Sequence, residues 1–222
     1  MIVELSEAPR DRIGGKAAGL ARLVELGLPV PPTLVVPFGE PLDDPSGLIG
    51  RLGEPLAVRS SAAAEDSSTR SAAGQYDTEL DVDQDRLADA VERVRSGTSR
   101  AAAYGVTGPV AVVIQRQIPA TRAGVAFSRD PITSDDVVVL ECARGGGDAV
   151  VSGSVTPDRY DVGDSVRARA AGRLRVLRDD EARDVAALVR KAERGFGCPV
   201  DVEFCFEART LWLLQCRPIT TL

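Results

Sequence analysis

The chain has 222 residues, with 27 Lys plus Arg, 33 Asp plus Glu and no histidine, giving a net charge of -6 and a pI near 4.9. That length supports a proper buried core, as one domain or two closely joined lobes. The acidic balance without a basic run argues against a nucleic-acid surface, no apolar run is long enough to span a bilayer, and the lack of histidine excludes an imidazole metal ligand or a phosphohistidine within the chain.

Taken in chain order, Ile2 to Leu5 reads as a short edge strand. Gly14-Gly15 then makes a turn into a helix over Lys16 to Leu26, with Leu20, Leu23 and Val24 inward and Gly27 as its stop. Pro29 to Pro32 enforces an extended segment, and Thr33 to Val36 is a buried strand. The stretch from Pro37 to Pro55 is rich in Pro, Gly and Asp and holds at most one short helix, near Leu48. Leu56 to Ser60 and Tyr76 to Val82 read as strands flanking a Ser/Ala-rich loop. Leu87, Ala90, Val91 and Val94 repeat at helical spacing within Asp85 to Arg95, and Ser99 to Tyr104 forms a second short helix. From Val110 strands dominate, expected at 110–118, 123–129, 136–142, 149–155, 166–170 and 173–178. Asp179 to Arg194 is a helix with an acidic start and a basic end, the favourable order for its dipole. A lobe boundary is expected at Gly105 to Pro109, dividing the chain into residues 1–108 and 109–222.

The last two strands are the most informative stretch. Asp201 to Glu207 and Leu211 to Arg217 each alternate with period two, as half-buried strands do. A three-residue loop, Ala208 to Thr210, puts Val202, Phe204 and Phe206 on one face with Trp212, Leu214 and Cys216. Glu203 then lies opposite Gln215 and Asp201 opposite Arg217 on the polar face. Two acids, an amide and a guanidinium on one rigid hairpin suit a divalent metal carrying phosphate oxygens. An amphipathic hairpin with a cross-strand ion pair has the same pattern. Cys205 and Cys216 fall on opposite faces, and with no Cys-x-x-Cys pair all four cysteines are read as reduced packing residues.

Other candidates lie upstream. Only two lysines are present, and Lys16 follows two glycines at a helix N-terminus, where free N–H groups favour an anion. An ordinary glycine turn reads the same way, since the full P-loop pattern is absent. Arg59 ends an apolar strand, where a guanidinium fork can grip phosphate oxygens. The small, polar loop from Ser60 to Thr78 has the composition of a lid, with Gly74 and Thr78 able to offer an N–H and a hydroxyl to a triphosphate. Gln115 is a polar residue inside a buried-looking strand, either a satisfied core amide or a ligand contact.

Six segments in order strengthen this set. They are Gly14-Gly-Lys-Ala-Ala-Gly-Leu20 with Gly27-Leu-Pro-Val-Pro-Pro32; Leu56-Ala-Val-Arg-Ser-Ser61 with Glu65-Asp66 and Ala73-Gly-Gln-Tyr-Asp-Thr78; Val113-Ile-Gln-Arg116; Gly124-Val-Ala-Phe-Ser-Arg-Asp-Pro131; Val151 to Tyr160; and Asp201-Val-Glu-Phe with Leu213-Leu-Gln-Cys-Arg-Pro-Ile-Thr220. Together they resemble the N-terminal ATP-binding domain shared by phosphoenolpyruvate synthase, pyruvate phosphate dikinase and rifampin phosphotransferase, in a shortened stand-alone form. The resemblance implies an α+β, ATP-grasp-like fold: two lobes of mixed or antiparallel sheet with helices, holding ATP and Mg2+ in a cleft between them. It implies that Lys16 and Arg59 touch the phosphates and that Gln115 lies at the adenine edge. It implies Glu203 and Gln215 as metal ligands, Arg217 on the transferred phosphoryl group, and Asp201 supporting the metal shell or orienting Arg217. Arg129-Asp130-Pro131 and Asp158 match too, with a turn and packing role expected. The sequence reading is therefore a cytoplasmic ATP-dependent phosphotransferase that passes phosphate to a separate histidine-carrier protein or directly to a small-molecule acceptor. A non-catalytic ATP-binding partner module and an ATP-grasp carboxylate ligase are the alternatives.

Overall fold

The computed structural model describes residues 2–42, 50–63, 78–103, 108–146, 155–170, 172 and 174–219. The chain divides into two units, one of Met1–Val24 with Val30–Gln117 and one of Glu25–Pro29 with Ile118–Leu222. Each has its own antiparallel sheet.

In the first unit, short runs of Val, Leu and Ala supply the central strands of the sheet. Its strands are β1 (Val3–Glu4), β2 (Thr33–Val36), β3 (Leu56–Ala62), β4 (Thr78–Val82) and β5 (Val110–Arg116), in the order β1-β2-β5-β3-β4. The central β2, β3 and β5 are buried on both faces, flanked by the more exposed edge strands β1 and β4. Helix α1 (Gly14–Glu25) covers one face, where Ile13, Ala17, Leu20 and Ala21 pack on Val35, Ala111 and Val113. Helix α2 (Leu87–Ala103) covers the other, where Leu87, Ala90, Val91 and Val94 meet Leu56, Val58, Val112 and Ile114. Two helices were expected over α2; Gly97 is accommodated within one. Val24, expected inward on α1, is 38% exposed.

Strand β5 corrects the expected boundary at residues 108 and 109. It pairs with β2 and β3 throughout, Thr33 opposite Gln115 and Ala57 opposite Gln115, so the division falls after Gln117. A valine-rich strand reads alike in either sheet, because nothing in its own alternation names its neighbours.

The second sheet has the order β11-β10-β6-β7-β8-β9, formed by β6 (Arg122–Phe127), β7 (Val138–Arg144), β8 (Asp158–Val162), β9 (Val166–Arg169), β10 (Val200–Glu207) and β11 (Thr210–Pro218). Strand β8 was not expected, whereas 149–154 lies outside the described residues and 174–178 forms no strand. Helix α3 (Asp179–Phe196) packs on this sheet through Ala182, Val185, Ala186, Val189 and Ala192. The strap Glu25–Pro29 belongs here too: Leu213 donates its N–H to the Pro29 carbonyl at 2.8 Å, and Leu26 lies so close to Gly195 that a Cβ there would meet it at 2.3 Å. Among the described residues no helix is long and apolar enough to cross a membrane.

The start of α3 is pinned electrostatically. Glu181 accepts from the Arg178 N–H at 3.0 Å and from Arg122 Nη1 at 2.7 Å, and the Arg122 guanidinium sits 4.4 Å from the centre of the Phe206 ring. Burial works against charge on Glu181, but the bonds from Arg122 and the Arg178 amide outweigh it, so the carboxyl titrates below its ordinary 4.5. A depressed folded value means stability that is fully present above 4.5 and is lost as the pH falls through the lower folded value. Glu181→Gln is therefore expected to cost about 3 kcal/mol near neutrality, because Arg122 keeps its buried charge without a counter-ion. Denaturant titrations on either side of that pH should show the cost shrinking in acid.

Candidate functional site

The first unit gathers several predicted residues on the α1 side of its sheet. Arg59 lies opposite Thr78 on β4 and Val113 on β5, while Gln115 lies opposite Ala57 and Thr33, so all share one face by strand alternation. Gly14, at φ +71°, lets α1 begin hard against the end of β3; a Cβ there would sit 2.4 Å from the Ser61 carbonyl oxygen. The same approach allows Lys16 Nζ to donate to the Ser60 carbonyl at 3.2 Å. It also lets Ser61 Oγ accept from the Ala17 N–H at 3.0 Å while donating to the Ile13 carbonyl at 2.6 Å. Arg59, expected to end its strand, lies in the middle of β3, and it and Lys16 are thus carried by elements locked to each other, both half-buried.

Ser61, part of a matched segment, was given no individual role at the sequence level. Its signal was the Ser60-Ser61 pair following Arg59, small polar residues where a glycine turn must come close. Gln115 is 1% exposed and its Nε2 donates to Thr33 Oγ1 at 2.9 Å, which in turn donates to the Pro31 carbonyl. This chain of bonds gives the core-amide reading its partner. Thr78 opens β4 and is exposed, and Gly74 lies outside the described residues.

The second unit places the others on the face of its sheet turned away from α3. The predicted polar register is present: Asp201 faces Arg217 and Glu203 faces Gln215. The loop differs from the expectation. It has two residues, Ala208 at φ +53° and Arg209, and a bulge beside Glu203 and Phe204 then absorbs Leu214 as an extra residue. The bulge restores the polar pairs but moves the apolar ones. Phe204 faces Leu213, Phe206 faces Leu211, and Trp212 joins Cys205 on the other face. That second apolar set is covered by Ile118, Ala120 and Ala123, and Trp212 Nε1 donates to Glu207 at 3.2 Å. Both faces of the hairpin tip are therefore packed. Cys205 and Cys216 do lie on opposite faces, and all four cysteines are free. Burial pushes the Cys142 thiol up to about 12, which leaves it protonated and inert.

Around the hairpin base, Arg217 Nε donates to Asp201 Oδ2 at 2.8 Å, with the guanidinium half-exposed. Gln215 is 8% exposed and Glu203 half-buried. Directly opposed cross-strand side chains start about 5 Å apart at Cβ, so a carboxylate and an amide oxygen here can reach one cation. Mg2+ takes oxygen ligands and keeps several waters, so this donor set fits it. Among the described residues no group of three or more acids, cysteines or histidines forms a metal cluster, and the fit rests on that pair of oxygens. Further along the same face, Val125 separates Glu203 from Glu141, which lies 3.9 Å from Arg159. Arg159 also binds Asp130 at 2.5 Å and Asp161 at 2.9 Å. Asp130 in addition accepts the Ile132 and Thr133 N–H groups, a turn-holding role, and Asp158 accepts from the Val176 N–H at 2.8 Å.

Known proteins resemble this chain. The family model described as the pyruvate phosphate dikinase AMP/ATP-binding domain matches residues 46–173 and 164–222. The prodigiosin synthesizing transferase PigC of Serratia marcescens is 33% identical over all of this chain and 33% of its own length. That alignment runs over 299 positions, so the relative carries insertions this chain lacks. A rifampicin phosphotransferase from Streptomyces is 36% identical over 80% of this chain and 25% of its own. A probable phosphoenolpyruvate synthase of Methanocaldococcus jannaschii is 30% identical over 99% and 26%. The chain thus spans a quarter to a third of these relatives' length. Among solved structures, the D-alanine-D-alanine ligase of Helicobacter pylori aligns with a TM-score of 0.54 at 11% identity, covering 92% of this chain and 54% of that one. The L-amino acid ligase of Bacillus licheniformis aligns at 0.53 and 16%, covering 93% and 42%. These neighbours establish the ATP-grasp fold, and the sequence relatives establish more: the chain belongs to the pyruvate phosphate dikinase AMP/ATP-binding domain family.

Proposed function

We propose that this chain binds Mg·ATP and serves ATP-dependent phosphoryl transfer. The observation that carries the reading is the base of the last hairpin, where Glu203 faces Gln215 and Asp201 holds Arg217 on the same face. Glu203 and Gln215 would hold Mg2+, which when bound neutralises phosphate charge and orients the oxygens. Phosphoryl transfer needs positioning and charge neutralisation more than covalent help. Arg217, aimed by Asp201, presents its remaining N–H groups to a phosphoryl group as a fork. In the first unit Lys16 and Arg59 would neutralise further phosphate charge, with Gly74 and Thr78 on the triphosphate side, while Gln115, buried and bonded to Thr33, would act through the strand that carries it. Asp201 is assigned to orienting Arg217, since its carboxylate is already engaged there.

The acceptor is a histidine on a carrier protein or a small molecule, by likeness to relatives named for phosphoenolpyruvate synthesis and rifampicin phosphotransfer. The shorter sequence between matched segments favours a second reading, an ATP-binding module acting on a partner. Radiolabelled ATP with magnesium, given to the chain alone and with candidate carriers, separates the two. Acid-labile phosphoprotein or a phosphorylated small molecule supports transfer, whereas binding without turnover under every condition supports the module. Arg217→Lys is expected to lower kcat by about tenfold to a hundredfold, because an ammonium cannot keep Asp201 and grip two oxygens together. An unchanged kcat would remove Arg217 from the transfer site.

A further inference from the structure

Away from the hairpin base, on the α3 side of the same sheet, the second unit holds a pocket of about 570 Å³, a volume suited to a small molecule. Its lining is dominated by Arg122, Arg144, Arg175, Arg178 and Arg209, with Glu181 as the acid among them. Two of these arginines, Arg122 and Arg144, stand directly opposite each other on β6 and β7. Like charges in that position repel, and Glu181 answers Arg122 without reaching Arg144. The nearby acids answer only part of the charge. Arg122 binds Glu181, Arg175 binds Asp179 at 2.9 Å, and Arg178 binds Asp180 at 3.0 Å. Among the described residues Arg144 reaches the Arg175 carbonyl, at 3.3 Å, and neither it nor Arg209 has a carboxylate partner.

The pocket wall is also built rather than incidental. Val176 is tied to buried Asp158, and Leu177 is held at both its N–H and carbonyl by the buried Tyr160 hydroxyl, at 2.8 and 3.1 Å. These pegs fix the segment from which Arg175 and Arg178 project. Arg122 is oriented by Glu181 and by the Ala208 carbonyl at 2.9 Å. A fixed wall beside two exposed arginine forks that have no acidic partner among the described residues is a receptor for a ligand with several anionic oxygens.

We propose that this pocket binds a small multivalent oxyanion, a phosphorylated or polycarboxylate metabolite, through Arg144 and Arg209 on the sheet face opposite Glu203 and Gln215. The site stands apart from the Mg·ATP reading, since Glu203→Ala leaves every residue of the pocket in place. The full chain, labelled with nitrogen-15, is titrated without magnesium with pyrophosphate and separately with citrate, against sodium chloride at matched ionic strength. Saturable shifts of the Arg144 and Arg209 side-chain N–H signals are expected, and the tighter of the two probes identifies the ligand chemistry. The double variant R144Q/R209Q should bind at least about tenfold more weakly, as losing charge-assisted hydrogen bonds implies, with Mg·ATP affinity and the rest of the spectrum unchanged. Equal binding by that variant, shifts that chloride reproduces, or shifts confined to Lys16, Arg59 and Arg217 would overturn the proposal. So would the absence of saturable shifts with either probe.

Discussion

Replacing Glu203 by alanine is expected to lower magnesium-dependent ATP turnover at least about a hundredfold, a loss near 3 kcal/mol of transition-state stabilisation. The size follows from its position. Gln215 supplies the facing oxygen, but an amide carries no charge, so Glu203 is the anionic member of the pair. The fold should survive, since Glu203 lies half-buried on the face turned away from α3 and the change opens no cavity in the core. Glu141 is the control. It sits on the same face two strands further on, beside Arg159, and its removal should leave turnover within about twofold, the range expected of a change remote from the transferred group. Steady-state ATP consumption at saturating magnesium, with thermal melts of all three proteins, decides the matter. Equal losses in both variants would mean that the face, rather than the Glu203–Gln215 pair, matters; no loss in either would take the metal away from this hairpin.

The second large effect is on stability. Gly14→Ala is expected to cost about 3 kcal/mol or more, combining the penalty for a side chain in the left-handed region with overpacking against β3. The added Cβ would lie 2.4 Å from the Ser61 oxygen and 2.8 Å from that of Ala62, both backbone atoms held by strand pairing with β5. Neither can step aside without breaking the sheet. Gly39 has the same φ of +71° with nothing within 4 Å, so Gly39→Ala isolates the backbone term and should cost only about 1 kcal/mol. Denaturant midpoints at constant m-value report the difference. If the two variants cost the same, the close approach of α1 to β3 is not as tight as described, and the placement of Lys16 loses its structural basis.

Much of this was readable beforehand because it depends on local pattern. Thr33–Val36 and the acidic-to-basic course of α3 follow from alternation and helical spacing, and the polar pairs of the last hairpin follow from parity. What escaped depends on partners distant in sequence. Strand β5 went to the first sheet because β2 and β3 accept it, which its valines do not encode. Trp212 exchanged faces because a two-residue loop was compensated by a bulge, and loop length with bulge has the same end effect as a longer loop. Strand β8 hid behind a motif whose Pro157 and Asp158 look like a turn. Among candidate site residues, Arg59 and Lys16 were nominated individually, but Ser61 and Gly14, which bring their elements together, act through tertiary contact alone.

The strap has a practical meaning for anyone dissecting this protein. A fragment starting at Ile118 would omit Glu25–Pro29 and deprive β11 of the carbonyl that receives the Leu213 amide hydrogen. It would also bare the groove beside Gly195 that Leu26 fills. Neither half is a contiguous stretch of polypeptide, so excision by simple truncation sacrifices part of the half one hopes to keep, whereas a circular permutation that retains the strap preserves it.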